Sequence, residues 1–198
     1  MISPSIVDDL VSRLQRAGLE IVQHEPGAGL TNEDRESVRR LGLQPPPPPL
    51  VKFYEQVNGI TLLWRGKLDG EAVQGSLNIL SFLLSAYRAP MLEDGEPLEG
   101  VLWTDDDDGA KRERLKAMAV FEPVAGRSEF ITYIAGATEA QLFLVDGDDI
   151  APLVPDFDTT VALLFRYAGA EGLRKTLTRK DWEAQIAADK TLTRVGAL

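Results

Sequence analysis

Runs of aspartate are the residues in this 198-residue chain that most invite a chemical reading. Asp105, Asp106, Asp107 and Asp108 stand together in WTDDDDGAK, and Asp146, Asp148 and Asp149 in VDGDD. Clustered carboxylates can hold a hard divalent cation through oxygen ligands, and a pair at fixed separation can serve as general acid and base. Neither run has the alternating ligands, central glycine and terminal glutamate of an EF-hand loop. Nothing in the spacing sets a distance between two carboxylates. Both runs read more simply as solvated turns, so no metal, cofactor or catalytic residue is assigned to them. His24 is the single histidine, in QHEPG just before a loop. A catalytic triad or a histidine metal site would need it, but no serine-elbow motif accompanies it, and it reads as a structural or surface side chain. There is no cysteine, which excludes disulfides, thiolate metal sites and cysteine nucleophiles. The glycines form neither GxxxxGK[ST] nor GxGxxG, so no phosphate-cradling loop is indicated. Trp64, Trp103 and Trp182 read as core or rim aromatics.

Charge says more by its position than by its sum. The net charge of −10 argues against general nucleic-acid binding, because phosphates would be repelled. Glu93, Asp94, Glu96, Glu99 and Asp105–Asp108 fall in one stretch without lysine or arginine. A second such stretch, Ser128–Phe165, holds seven acids, Asp146, Asp148 and Asp149 among them. From Arg166 onward seven basic residues face four acidic ones. One part of the fold is therefore strongly negative, and such a field suits a basic partner. The N-terminus lacks the basic segment of a secretory signal, and no apolar run has the length of a membrane span. A cytoplasmic protein with no membrane contact is expected.

These side chains have to be positioned by elements that the local patterns outline. Ser3-Pro4 reads as a helix start, with Val7, Leu10, Val11 and Leu14 at helical spacing and Gly18 as the stop. Leu19–Val22 reads as a short extended piece. Thr31 with Asp34 resembles a capping box for a polar helix that runs to about Leu41. Prolines 45–49 form an extended strut that leads into a helix whose apolar face is Leu50, Phe53, Tyr54 and Val57. Asn58-Gly59 closes that helix, and Ile60–Trp64 is a strand. Arg65–Gly70 reads as a loop and Ala72–Leu80 as strand. Leu115–Phe121, Glu129–Ile134, Ala140–Val145 and Ile150–Leu153 read as sequential short strands, which favours an antiparallel meander over a βαβ arrangement. Asp158 is expected to cap a helix through Ala168, and a last helix runs from about Asp181 to Lys190. The order implies one α+β domain, 1–198: a single antiparallel, meander-like sheet flanked by N- and C-terminal helices.

The stretch PPPPLVKFYEQVNGITLLW resembles the signature segment of the SUKH superfamily, small domains related to the fungal cell-wall assembly regulator. The matching positions are Pro49, Leu50, Phe53, Tyr54, Asn58, Gly59, Leu62 and Trp64. Later features agree in order: Gly75 entering a strand with Leu77, Ile79 and Leu80, then FITYI, AQLFLV and TTVALLFRY. The resemblance covers about residues 35–170. It implies an α+β fold and function by binding, since bacterial members are largely immunity proteins that block a cognate toxin, often a nuclease. The signature residues themselves are expected to build the scaffold.

The expected function is thus a non-catalytic immunity protein that neutralises a basic toxin domain stoichiometrically, with the acidic tracts as the contact surface. A regulatory or scaffolding adaptor for host proteins, docking in part through the proline tract, is the second reading. A metal-dependent hydrolase using the aspartates is a distant third.

Overall fold

A computed structural model of the protein describes residues 4–87, 117–124, 129–147 and 149–198. Helix α1 (Pro4–Arg16) begins on its proline. It closes at Gly18 in a Schellman motif, with Leu19 N–H donating to Leu14 O at 3.1 Å and Gly18 N–H to Gln15 O at 2.9 Å. Strand β1 (Glu20–Pro26) is longer than the expected fragment. Helix α2 (Asn32–Arg40) carries the anticipated capping box: Asp34 N–H donates to Thr31 Oγ1 at 3.1 Å and Thr31 N–H to Asp34 Oδ2 at 2.9 Å. Helix α3 (Pro48–Gln56) starts on the proline tract and buries Leu50, Phe53 and Tyr54.

Strands β2 (Ile60–Leu68) and β3 (Glu71–Ile79) form a hairpin in unbroken register from Ile60↔Ile79 to Leu68↔Glu71. The expected loop over Arg65–Gly70 is therefore strand up to Leu68. Only Asp69 and Gly70 turn, with φ of 51° and 84°, the two left-handed residues of a type I′ turn. Helix α4 (Phe82–Tyr87) follows. Strands β4 (Met118–Pro123), β5 (Glu129–Ile134), β6 (Leu142–Asp146) and β7 (Asp149–Pro152) make the expected meander, each pair antiparallel. Helix α5 (Phe157–Arg166) is capped by Asp156, which accepts from Thr159 N–H at 2.7 Å. The expected cap, Asp158, sits inside the first turn, where its charge still favours the helix N-terminus. Helices α6 (Leu173–Leu177), α7 (Trp182–Ala188) and α8 (Lys190–Gly196) follow. The expected helix over Asp181–Lys190 breaks at Asp189, whose side chain caps α8 through Leu192 N–H at 3.0 Å.

The α+β class holds, but there are two sheets rather than one: β1-β2-β3 and β4-β5-β6-β7. They meet where β3 comes alongside β4, and there Leu80 N–H donates to Phe121 O at 3.0 Å. Phe121 lies at a register shift in the β4–β5 ladder, and β3 and β4 belong to separate sheets. Beyond this contact, the edge of β3 is taken by the segment after α5. Ser76 N–H donates to Gly169 O at 3.1 Å, and Glu171 N–H to Gln74 O at 3.1 Å.

The main core joins α1, α3, α5 and one face of each sheet. At its centre Phe53, Tyr54, Phe82, Phe121 and Phe157 meet edge to face, with centroids 5.5–6.4 Å apart. Leu80, Met118, Val120, Phe130, Phe143 and Val145 form a second buried cluster on the other face of the meander. Burial on both faces explains why MAVF and LFLV are continuous apolar runs rather than alternating ones.

Candidate functional site at the seam of the two sheets

Two side chains join the sheets beside the Leu80–Phe121 backbone contact. Glu122 of β4 is fully buried and Arg174 of α6 nearly so, and together they form a bidentate ion pair. Arg174 Nε donates to Glu122 Oε2 at 2.9 Å and Nη2 to Oε1 at 2.5 Å. The guanidinium also donates to Ser76 O at 2.7 Å and to Gly169 O at 3.2 Å, while Glu122 Oε1 accepts from Asn78 N–H at 3.2 Å. A carboxylate thus stands where a β4 carbonyl would have met β3. Its charge is tolerated because the planar guanidinium matches it and the remaining N–H groups find backbone oxygens.

A groove of about 310 Å³ opens along this seam. Val22, Leu63 and Val124 supply its apolar lining, and Glu129 and Glu171 line it with carboxylates. Val22 sits at a register shift in β1 and is 51 % exposed. Arg65 and Lys175 also reach the groove, each engaged with an acid: Arg65 with Glu20 at 2.8 Å, Lys175 with Asp146 at 3.1 Å. The Arg65 pairing holds the Glu20 carboxyl below its usual range through a direct hydrogen bond.

Beside the groove the meander presents a row of acids. Glu129 is in register with Asp146, and Asp146 with Asp149, across β5, β6 and β7. Directly opposed residues on neighbouring strands share a face, so these carboxylates are mounted abreast on a rigid sheet. Asp146 and Asp149 are thus brought together as the sequence suggested, with Glu129 joining them from 17 positions upstream. Glu93, Asp94, Glu96, Glu99, Asp105, Asp106, Asp107, Asp108 and Asp148 lie outside the described residues, as does Trp103. Among the described residues no three histidine, aspartate or glutamate side chains group to hold a metal ion. No described helix is long and apolar enough to cross a membrane.

The signature positions build scaffold contacts. Leu50, Phe53 and Tyr54 are buried in the core, and half-buried Pro49 is the second residue of α3. The C-cap of α3 is Val57 in extended conformation, one residue before the expected closure by Asn58-Gly59, and Asn58 makes other contacts. Its Oδ1 accepts from Phe82 N–H at 2.6 Å, capping α4, and its Nδ2 donates to the capping-box Asp34 at 3.3 Å. Gly59 O accepts from Gly27 N–H at 2.8 Å. Trp64 Nε1 donates to Ala168 O at 2.7 Å, and its indole lies against Gly75, where a Cβ would come within 2.6 Å of the ring. Pro46 and Pro47 are buried and Pro45 O accepts from Gly136 N–H at 3.1 Å, so the strut is engaged by its own fold. Ser85 Oγ donates to Val120 O at 2.7 Å and lies 3.1 Å from Tyr133 Oη. Burial pushes the Tyr133 hydroxyl up to about 12 and raises Tyr54 well above the ordinary tyrosine value.

No protein-family model matches the chain, and no curated protein matches it significantly.

Proposed function

We propose that the protein acts by binding, as an immunity-type inhibitor that covers a basic toxin domain, with nuclease domains the favoured class. The observation that carries this reading is the row Glu129–Asp146–Asp149 on three adjacent strands. Lys175 already offsets part of the charge at Asp146, and the three acidic positions share one face of the meander, an arrangement that complements a basic surface. The net charge of −10 supports the same partner, because opposite fields accelerate encounter and suppress wrong partners. The SUKH-like segment at 45–64 supports a scaffold whose work is recognition rather than catalysis, and the contacts of Asn58 and Trp64 agree with that role.

The test is growth rescue. A host expressing the toxin-like domain encoded beside this gene is compared with and without the protein, and with the variant Glu129→Lys/Asp146→Lys/Asp149→Lys. Rescue by the wild type, weakened by the triple reversal, supports the proposal. Failure to rescue from a domain shown to be toxic removes that pairing and favours the adaptor reading.

A further inference from the structure

The Asn58-Gly59 pair that joins α3 to β2 carries a chemistry of its own. The chain has three asparagines, Asn32, Asn58 and Asn78, and only Asn58 precedes a glycine. Without a Cβ, a glycine leaves its nitrogen unshielded, and that nitrogen can attack the preceding side-chain amide. Neither partner is replaceable in this fold. Gly59 has φ of 97°, and a Cβ there would come within 3.2 Å of Ser81 N. Asn58 uses both ends of its amide: Oδ1 accepts from Phe82 N–H at 2.6 Å and Nδ2 donates to Asp34 Oδ2 at 3.3 Å. An aspartate in its place can keep the first contact but not the second, because it has no donor. The fold therefore retains the dipeptide most prone to ring closure at a corner shared by α2, α3 and α4.

We propose that Asn58 is a deamidation site guarded by this corner, and that its conversion loosens the corner irreversibly. In the reaction the Gly59 nitrogen forms a bond to Asn58 Cγ. The Cγ–Nδ2 bond breaks, the Gly59 proton passes to the departing nitrogen, and ammonia leaves. Water then opens the succinimide ring, giving an aspartyl or an isoaspartyl residue. No oxidant or reductant takes part. In the native fold the amide is held from both ends and Gly59 is buried. The Gly59 N–H donates to no backbone acceptor among the described residues, so the restraint lies on the amide. The segment before α2 closes over the pair: Asn58 N–H donates to Ala28 O at 3.0 Å and Leu30 N–H to Tyr54 O at 2.9 Å. Ring closure thus waits for local opening. A carboxylate that replaces the amide confronts the Asp34 carboxylate across the same gap, with no donor between them. Asp34 also accepts from Thr31 N–H at 2.9 Å and Thr31 Oγ1 at 2.7 Å, so the repulsion reaches the capping box of α2. An isoaspartyl link further adds a methylene to the backbone, which displaces Gly59 O from Gly27 N–H at the start of β2. The inference does not depend on the binding reading above.

The test is mass spectrometry of the full chain and its peptides during incubation at mildly alkaline pH, in buffer and in unfolding guanidinium chloride. Conversion at Asn58 should be at least about tenfold slower in the native protein. Asp34→Ala frees Nδ2 and should speed native conversion about tenfold. Thr31→Val weakens the same helix cap but leaves the bond from Asn58 to Asp34, and should speed conversion much less. Asn58→Asp reproduces the aspartyl product and should melt roughly 5 °C below the wild type. Asp34→Asn/Asn58→Asp exchanges amide and carboxylate, and should regain most of that loss. Equal rates in native and unfolded protein, or equal acceleration by Asp34→Ala and Thr31→Val, would overturn the guard. The comparison of native with unfolded protein decides this even where Asp34→Ala does not fold. Absence of conversion in the unfolded chain would remove the site itself. An Asn58→Asp variant as stable as the wild type, or no recovery in the double variant, would overturn the loosening of the corner.

Discussion

Removing Arg174 should unfasten the sheets from each other. Arg174→Met keeps much of the stem but deletes the contacts to Glu122, Ser76 O and Gly169 O. Glu122 then remains fully buried with the Asn78 N–H as its described donor. Breaking one side of a buried pair costs about 3–5 kcal/mol, mostly because the other charge is left uncompensated. At about 2–4 °C per kcal/mol for a chain of this size, Tm falls by roughly 6–20 °C. Glu122→Gln preserves shape but strands the guanidinium, and should be of similar severity. The double variant Glu122→Gln/Arg174→Met carries no buried charge. It should be less destabilised than the two single losses added together, by about 1–3 kcal/mol. Urea unfolding followed by tryptophan fluorescence reads this directly, because Trp64 bonds Ala168 O in the same segment that supplies Gly169 O. A loss under about 1 kcal/mol for Arg174→Met, or simple additivity of the two changes, would refute the assignment of the pair as the joint between the sheets.

Four further outcomes follow from the packing and titration of particular groups. Gly75→Ala places a Cβ within 2.6 Å of the Trp64 indole, and thermal melts should show an overpacking loss of about 1–3 kcal/mol with a shifted Trp emission. Tyr54 and Tyr133 titrate above their unfolded value of about 10, so their contribution is complete below that pH and is lost as pH rises toward the folded values. Tyr133→Phe should flatten the alkaline fall in stability while losing about 1 kcal/mol at neutral pH with its bond to Ser85. Tyr54 Oη is close to Ser85 but makes no well-aligned hydrogen bond, so Tyr54→Phe should flatten the same limb with a smaller neutral-pH loss than Tyr133→Phe. Asp156 titrates low because it accepts from Thr159 N–H. Asp156→Ala should cost about 1 kcal/mol above the unfolded carboxylate value, a difference that vanishes as pH falls through the folded one; chemical denaturation across that range checks it.

What could be read in advance was whatever a few neighbouring residues decide. Thr31 and Asp34 sit one turn apart and form their capping box in any context. Leu50, Phe53 and Tyr54 share one helical face and bury it, and Val57 is buried just past the helix end. Glu129–Ile134 appears as a strand with the expected bounds. The turn at Asp69-Gly70 was also local, since Asp-Gly between strand-like residues is a strong hairpin signal. The charged residues from Arg65 mask it, because the outer half of β2 alternates exposed and half-buried side chains without an apolar face. The seam was not local. Glu122 and Arg174 are 52 positions apart, and nothing in GLRKTL marks its arginine as buried. The one available sign was a glutamate at the end of the apolar run MAVFEP, since an acid among buried residues needs a partner. The acidic row is half visible in the sequence: VDGDD stands out as an acidic turn, but Glu129 joins it only through the register of β5 on β6.

The joint between the sheets also has a consequence for how the chain is made. Synthesis runs from the N-terminus, so the β2–β3 hairpin and the meander emerge before the segment that sews them together. Ala168, Gly169 and Arg174 supply the carbonyls and the guanidinium at the seam, and Arg194 then ties α8 to the hairpin turn through Asp69 at 3.0 Å. Until those residues leave the ribosome, the edge of β3 lacks its Gly169 and Glu171 partners and Glu122 has no counter-charge. Nascent chains of this kind expose strand edges and depend on chaperones for as long as the gap persists. Stalling or truncation before residue 169 would therefore leave a product with its strands already made, an unpaired stretch of β3 edge and a glutamate without its counter-charge.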